Sequence, residues 1–99
     1  SAEFALVDRS SGARRLVPMR DHLTRSQEKA MATQPDMILA FAHHLAEDEL
    51  RAGRDVEVHA DVQVVLNGRA AAPLIDANVD LAREEDGFLP KRWILPAPP

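Results

Sequence analysis

The sequence predicts an α+β fold: an antiparallel sheet of about four strands, with two consecutive helices packed on one face. Three observations predict it. Apolar residues occupy alternate positions from 56 to 66, apolar residues recur at helical spacing from 35 to 52, and strand-like segments stand on both sides of that helical region. The expected order is β-β-α-α-β-β, followed by an extended C-terminal arm.

The first two strands form a predicted hairpin. Residues 3–8 are apolar and strand-like, Arg9-Ser10-Ser11-Gly12 has turn composition, and residues 14–17 read as the returning strand. Pro18 ends it, because proline cannot donate to a sheet ladder. Two strands alone are marginal in water, so this hairpin is expected to join a larger sheet.

Two helices are predicted next. Thr24 and Gln27 have the spacing of a capping box, and Ala30, Met31 and Ala32 follow in the first predicted helix. Pro35 interrupts it and is suited to the first turn of a second helix. That helix, at about residues 35–52, carries an apolar stripe and ends before Gly53. The stripe consists of Met37, Ile38, Phe41, Ala42 and Leu45.

The clearest strand occupies residues 56–66, and Asn67-Gly68 is the preferred dipeptide of a tight hairpin turn. Residues 69–75 are the expected returning strand, which Pro73 confines to an edge or ends. Apolar residues then recur among prolines and basic residues, so we expect an extended arm that buries Trp93 against the body.

Composition excludes several classes of function. The 99 residues suit one domain, and the formal net charge of -4 comes without a basic cluster beyond Arg14 and Arg15, so nucleic-acid binding is not expected. There is no cysteine and no apolar run of the ~18 residues that cross a bilayer. Because the chain starts at Ser1 without a methionine, we expect residues 1–99 to be a soluble domain cut out of a larger protein.

No catalytic, cofactor-binding or metal site is predicted from the residues. His44 and Asp48 share a helix face, and His59 and Asp61 share a strand face, but no third metal ligand accompanies either pair. We interpret both pairs as exposed polar surface. No serine stands in a nucleophile elbow, and the four glycines are too scattered for a phosphate loop.

Nearly the whole chain resembles the water-exposed region of the vitamin K-dependent gamma-carboxylase family, which follows the membrane helices in those proteins. The most specific matching segments are the helix start at residues 35–45 (PDMILAFAHHL) and the turn within residues 61–69 (DVQVVLNGR). Residues 23–27, 74–76, 79–81 and 93–96 match in the same order.

The resemblance implies a parent membrane protein, with this domain on the extracytoplasmic side. Family members use vitamin K hydroquinone, oxygen and carbon dioxide to carboxylate glutamate, which is a lyase-class carboxylase activity. No residue here matches their proton-abstracting lysine, so an accessory or peptide-recognising role is implied, with no cofactor in this fragment. The expected partners are the membrane-embedded part of the parent and a glutamate-containing peptide. The expected peptide or domain contacts are Asp36, His43, Asp61, Asn67, Arg69, Asp80 and Trp93.

Two other readings stay open. The chain can instead be a free-standing interaction domain with no enzymatic role, for example a homodimer that associates through a sheet edge or the Trp93 arm. An independent small enzyme is the third reading, and the sequence supplies no site for it. In the accessory reading, the sheet edge near Pro73 is a candidate for accepting an extended peptide by strand addition.

Overall fold

A computed structural model describes residues 2–18, 34–64, 68, 70–85 and 91–96. Four strands form one antiparallel sheet in the order β2-β1-β3-β4. They are β1 (Ala2–Asp8), β2 (Arg14–Pro18), β3 (Val56–Val64) and β4 (Ala72–Pro73). One α-helix, α1 (Pro35–Arg51), and a 3-10 turn, Leu81–Arg83, pack against this sheet.

The helical part of the predicted fold is wrong. A single α-helix occurs in the described residues, so the order β-β-α-α-β-β with two consecutive helices does not hold. The first predicted helix, after Thr24, lies in residues 19–33, outside the described ranges. Its prediction rested on a capping signal, which is local and contains no packing requirement. The apolar stripe of α1, in contrast, must be packed against the rest of the protein.

Helix α1 lies over the sheet by burying Ile38, Leu39, Ala42 and Leu45, whereas Met37 of the predicted stripe is 38% exposed. From the sheet, alternate residues of β1 and β3 face the helix, as expected for strands with one buried face. The core is completed by residues from the C-terminal third. Its fully buried large side chains are Trp93, Phe4, Ile38, Leu39, Ile75, Leu81, Val58 and Val62.

The turn between β1 and β2 is built by Asp8. One of its carboxylate oxygens accepts hydrogen bonds from the Ser10 N–H (2.8 Å), the Ser10 hydroxyl (2.6 Å) and the Ser11 N–H (3.1 Å). These bonds lower the pKa of Asp8, the largest contribution coming from the Ser10 hydroxyl. Gly12 adopts φ 75°, which glycine reaches without steric cost.

The register determines which backbone groups of β2 face outward. Val58 donates its N–H to Asp80 on the side of β3 that is remote from β1, and Leu6 pairs with both Val58 and Arg15. Leu6 therefore exchanges its backbone hydrogen bonds with Arg15 of β2. The bond from the Asp8 N–H to the Ala13 carbonyl follows the same alternation. The backbone groups of Arg14, Leu16 and Pro18 consequently face away from the sheet.

The second hairpin is shorter than predicted. Strand β3 ends at Val64 instead of residue 66, and the returning strand has only two residues, Ala72 and Pro73. Pro73 lies opposite Gln63 in the edge strand, where its missing N–H costs no ladder bond. The predicted turn residue Asn67 lies outside the described residues.

Candidate functional site

Asp80 closes the outer edge of β3. Its Oδ1 accepts the Val58 N–H at 2.9 Å and the Ala82 N–H at 3.0 Å, and its Oδ2 accepts a hydrogen bond from Arg9 at 2.7 Å. Asp80 thus caps the 3-10 turn and satisfies a strand N–H that β4 is too short to reach. The side chain is only 16% exposed. This residue is the best-connected of the expected contact residues.

The ionisation of Asp80 is set by opposing effects. Burial disfavours the charged carboxylate, but the hydrogen bonds from Val58, Arg9 and Ala82 outweigh burial and lower the pKa of Asp80. The same hydrogen bond raises the pKa of Arg9. Arg9 also contacts Asp55, with Nε 3.2 Å from the Asp55 Oδ1. The pair is therefore charged at neutral pH and joins the β1 turn to the loop before the 3-10 turn.

His43 supports the other end of the 3-10 turn. Its Nε2 lies 3.1 Å from the Leu81 carbonyl and 2.8 Å from the Glu84 carbonyl. Both partners are acceptors, so Nε2 carries the hydrogen and donates it. The half-buried ring forms one wall of a groove of about 650 Å³ between α1 and the turn. The other charged residues of this groove are Glu47, Arg83, Glu84 and Glu85.

The C-terminal arm is docked as predicted. Trp93 is 1% exposed and lies in the core, and Ile94 pairs with Ile75 in an antiparallel bridge. The Asp76 N–H donates to the Trp93 carbonyl at 2.8 Å, and the Leu95 N–H donates to the Leu74 carbonyl at 2.8 Å. The arm thus occupies the edge just after Pro73, where the sequence predicted a candidate site for an added peptide strand. Asp36 lies at the start of α1 and forms an ion pair with Lys91 of the arm.

The remaining expected contacts do not join this cluster. Asp61 is exposed on the opposite face of the sheet and accepts a hydrogen bond from Gln63 at 2.8 Å. Asn67 and Arg69 lie outside the described residues. His44 contacts Asp48 (Nε2 to Oδ2, 3.3 Å) at the surface. In the described ranges, no three histidine, cysteine or carboxylate side chains are arranged to hold a metal ion.

A second cleft lies at the opposite end of the sheet and was not predicted. Arg14 and Arg15 of β2 line it together with Arg54, which follows α1, and its volume is about 430 Å³. Leu6 and Val56 give it an apolar wall, and Asp8 and Ala13 complete the lining. The two arginines that form too small a basic cluster in the sequence are therefore joined by a third from a distant segment.

Glu49 holds two of these arginines in place. It is the one buried charged residue among those described, at 6% exposure. Its Oε2 accepts a hydrogen bond from the Arg54 Nε at 2.5 Å, and its Oε1 forms an ion pair with Arg15. The guanidinium groups remain accessible, since the side chains of Arg15 and Arg54 are 59% and 53% exposed. One buried carboxylate thus orients two surface cations.

Sequence reasoning missed Arg9, Glu49 and Arg54. Arg9 and its partner Asp80 are 71 positions apart, so no local spacing connects them. Glu49 carried a usable signal, because it lies four positions after Leu45 on the buried face of α1. A carboxylate on that face needs a cation partner. Arg14 and Arg15, which follow the turn at residues 9–12, were the available signal for such a cation.

The described residues form one sheet, one α-helix and a 3-10 turn. No helix among them has both the length and the apolarity that crossing a membrane requires. The family model of the vitamin K-dependent gamma-carboxylase lumenal domain matches residues 1–99, the whole chain. The chain belongs to this family, and it is an extramembranous domain of such a protein. No curated protein matches the sequence, and no solved structure matches it.

Proposed function

We propose that this chain is an accessory, peptide-recognising domain on the extracytoplasmic side of a membrane-bound gamma-carboxylase-like protein. The observation that carries the proposal is that its buried and half-buried ionisable side chains bond to groups of the domain itself. Asp80 holds Val58 and Ala82, His43 holds two carbonyls, and Glu49 holds two arginines. Their hydrogen-bonding capacity supports the domain itself, which leaves proton abstraction to another part of the parent protein.

Strand β2 is the proposed recognition element. It is an edge strand, and the backbone groups of Arg14 and Leu16 face outward. Leu16 is 51% exposed. An extended peptide can add to such an edge through main-chain hydrogen bonds. The edge near Pro73 is less suited to this, because the arm already pairs with residues 74–76.

The proposal assigns vitamin K hydroquinone to a site outside this domain. In its support, each of the two described clefts carries several charged side chains: Arg14, Arg15 and Arg54 in one, and Glu47, Glu84 and Glu85 in the other. An aromatic ring with an isoprenoid tail requires an apolar cavity. In the proposal, this domain meets the peptide, and the membrane-embedded part of the parent holds the hydroquinone.

The rival reading is a homodimer that forms through the same sheet edge. A twofold pairing of β2 with a second β2 would bring two copies of Arg14 and Arg15 together, and like charges directly opposite are destabilising. Sedimentation at rising concentration separates the two readings. A dimer whose formation protects the β2 amides would favour the rival.

Amide NMR of the 99-residue chain, titrated with an extended glutamate-containing peptide, tests the proposal. Emission from Trp93, the only tryptophan, checks that the chain is folded. The largest shift changes are expected at Arg14–Pro18, and the same peptide with alternate backbone nitrogens methylated should not bind. Absence of saturable binding would contradict recognition. Carboxylated product formed by the chain alone with hydroquinone, oxygen and carbon dioxide would contradict the accessory role.

A further inference from the structure

We propose that the cleft lined by Arg14, Arg15 and Arg54 is a carboxylate-binding subsite, which takes one glutamate or aspartate side chain of a peptide added along β2. This inference deepens the proposed function and rests on it. Arginine binds carboxylates through paired N–H donors in a fixed geometry, and such charge-assisted bonds are the stronger ones in proteins.

The charges in the cleft favour an anion. Two guanidinium groups, those of Arg15 and Arg54, share the single buried carboxylate of Glu49, and the other carboxylate of the lining is Asp8. Asp8 is turned to its own loop, where it accepts bonds from Ser10 and Ser11. Glu49 is buried beneath the cleft and neutralises only part of Arg15 and Arg54. Arg14, on the other face of β2, has no ion-pair partner among the described residues, so positive charge remains at this edge for a ligand.

The two held arginines are also preorganised. The Arg54 Nε is bound to Glu49, and a single nitrogen of Arg15 is bound to the same carboxylate, so each guanidinium keeps further N–H donors. Fixing their positions in advance removes part of the entropy loss on ligand binding. A buried carboxylate beneath exposed arginines is therefore an arrangement that orients donors as well as balancing charge.

The sheet edge specifies a peptide as the source of the carboxylate. Arg15 lies on the helix-facing side of β2, because it pairs with Leu6. In an added strand, only alternate side chains point to that side, so one peptide residue enters the cleft while its neighbours point away. Hydrogen bonds to the outward backbone groups of Arg14 and Leu16 would set the register of the peptide along β2. A free anion or a lipid headgroup would use none of these groups.

The test uses the 99-residue chain and an eight-residue peptide of alternating threonine and valine with one central glutamate. Its matched control carries glutamine at that position. Charge-assisted bonds to arginine predict at least about tenfold weaker binding of the glutamine peptide. Arg15→Gln, which leaves Glu49 paired with Arg54, should weaken binding of the glutamate peptide by about the same factor and leave the glutamine peptide unaffected.

Arg51→Gln is the matched protein control, because Arg51 lies at the end of α1 outside the cleft and contacts Asp48 at 3.1 Å. It should change the dissociation constant by less than about twofold. Equal weakening by Arg51→Gln would overturn the subsite in favour of a general charge effect. Trp93 emission verifies folding of each variant, and the peptide pair tests the same point without altering the protein.

The outcomes separate the inference from the proposed function. If both peptides bind β2 equally, the carboxylate subsite is wrong and peptide recognition stands. If neither binds, both fail. Glutarate that binds as tightly as the peptide would overturn the role of the strand edge. Stronger, Arg15-dependent binding to vesicles of phosphatidylglycerol than to the peptide would assign the cleft to a lipid headgroup instead.

Discussion

The two edges of the sheet end in different ways. At the edge beyond β3, here called the closed edge, other segments of the chain hydrogen-bond to the outward backbone groups. Asp80 accepts the Val58 N–H, the Leu74 N–H donates to the Val62 carbonyl, and the arm pairs with residue 75. At the edge beyond β2, here called the open edge, no described residue pairs with the outer side of the strand. That edge carries Arg14, Arg15 and an exposed Leu16.

Charged side chains have different roles at these two edges. At the closed edge, the carboxylate of Asp80 substitutes for a missing strand partner. At the open edge, arginines discourage unspecific pairing of strands, which is a common protection of exposed edges. In the proposed function, the same charges would favour an acidic peptide over a neutral one. An edge can therefore be protected against aggregation and still be available to one class of ligand.

The largest effect is expected from removing Trp93, which fastens the closed edge. Trp93→Ala should lower the free energy of unfolding by about 3–5 kcal/mol, since a large buried side chain is lost. Urea denaturation followed by circular dichroism measures it. Leu50→Ala is the control, because Leu50 is 63% exposed, and it should stay within about 0.5 kcal/mol. A loss below about 1 kcal/mol for Trp93→Ala would mean that the arm contributes little.

Proline substitutions at neighbouring positions of β2 test the orientation of the open edge. The Val17 N–H faces β1, so Val17→Pro should cost about 2–3 kcal/mol by leaving a partner in the sheet without its hydrogen bond. The Leu16 N–H faces outward, so Leu16→Pro should cost less than about 1 kcal/mol. Leu16→Pro should nevertheless weaken peptide binding. A reversed order of the two stabilities would refute the derived register.

Replacing Asp80 reopens part of the closed edge. Asp80→Ala leaves the Val58 and Ala82 N–H groups without their side-chain acceptor and Arg9 with Asp55 alone, and we expect a loss of about 2–3 kcal/mol. Urea denaturation of this variant is compared with Asp61→Ala, which alters an exposed carboxylate on the other face. Hydrogen exchange at the Val58 amide should accelerate only in the Asp80 variant. Similar losses in both variants would contradict the specific role of Asp80.

The lowered pKa of Asp80 gives the same contact a pH dependence. A carboxyl group with a lower pKa in the folded state stabilises the fold above its unfolded pKa, near 3.9. That stabilisation is lost as the pH falls through the lower folded pKa. The stability gap between the parent chain and Asp80→Asn should therefore shrink below about pH 4. A gap that is constant from neutral pH to pH 3 would exclude ionisation of Asp80 as its source.

The sequence predicted the parts of this fold that have a local period. Helix α1 was expected at 35–52 and ends at Arg51, because its apolar stripe must be buried. Strand β3 was expected from 56 and begins there. The first helix of the predicted pair rested on the capping signal after Thr24 and lies outside the described residues.

The candidate sites were less accessible to sequence reasoning, because they join distant positions. Asp80 was selected as a family-like residue, but its bond to the Val58 N–H exists only because β4 stops short of that position. The arginine cleft needs Arg54 to return beside β2, and Glu49 to be buried between the two segments. Neither requirement has a spacing that can be read from the chain.

The smallest effect concerns His43, which supports the 3-10 turn behind the closed edge. His43→Leu removes one donor from two carbonyls at a half-buried site, and a loss of about 1 kcal/mol is expected. The control is His44→Leu, whose side chain is 56% exposed, with a change below about 0.5 kcal/mol. The Glu84 amide, which bonds to the Leu81 carbonyl, should exchange faster in His43→Leu alone. Unchanged exchange there would show that Asp80 by itself holds the turn, and that the closed edge depends on one carboxylate.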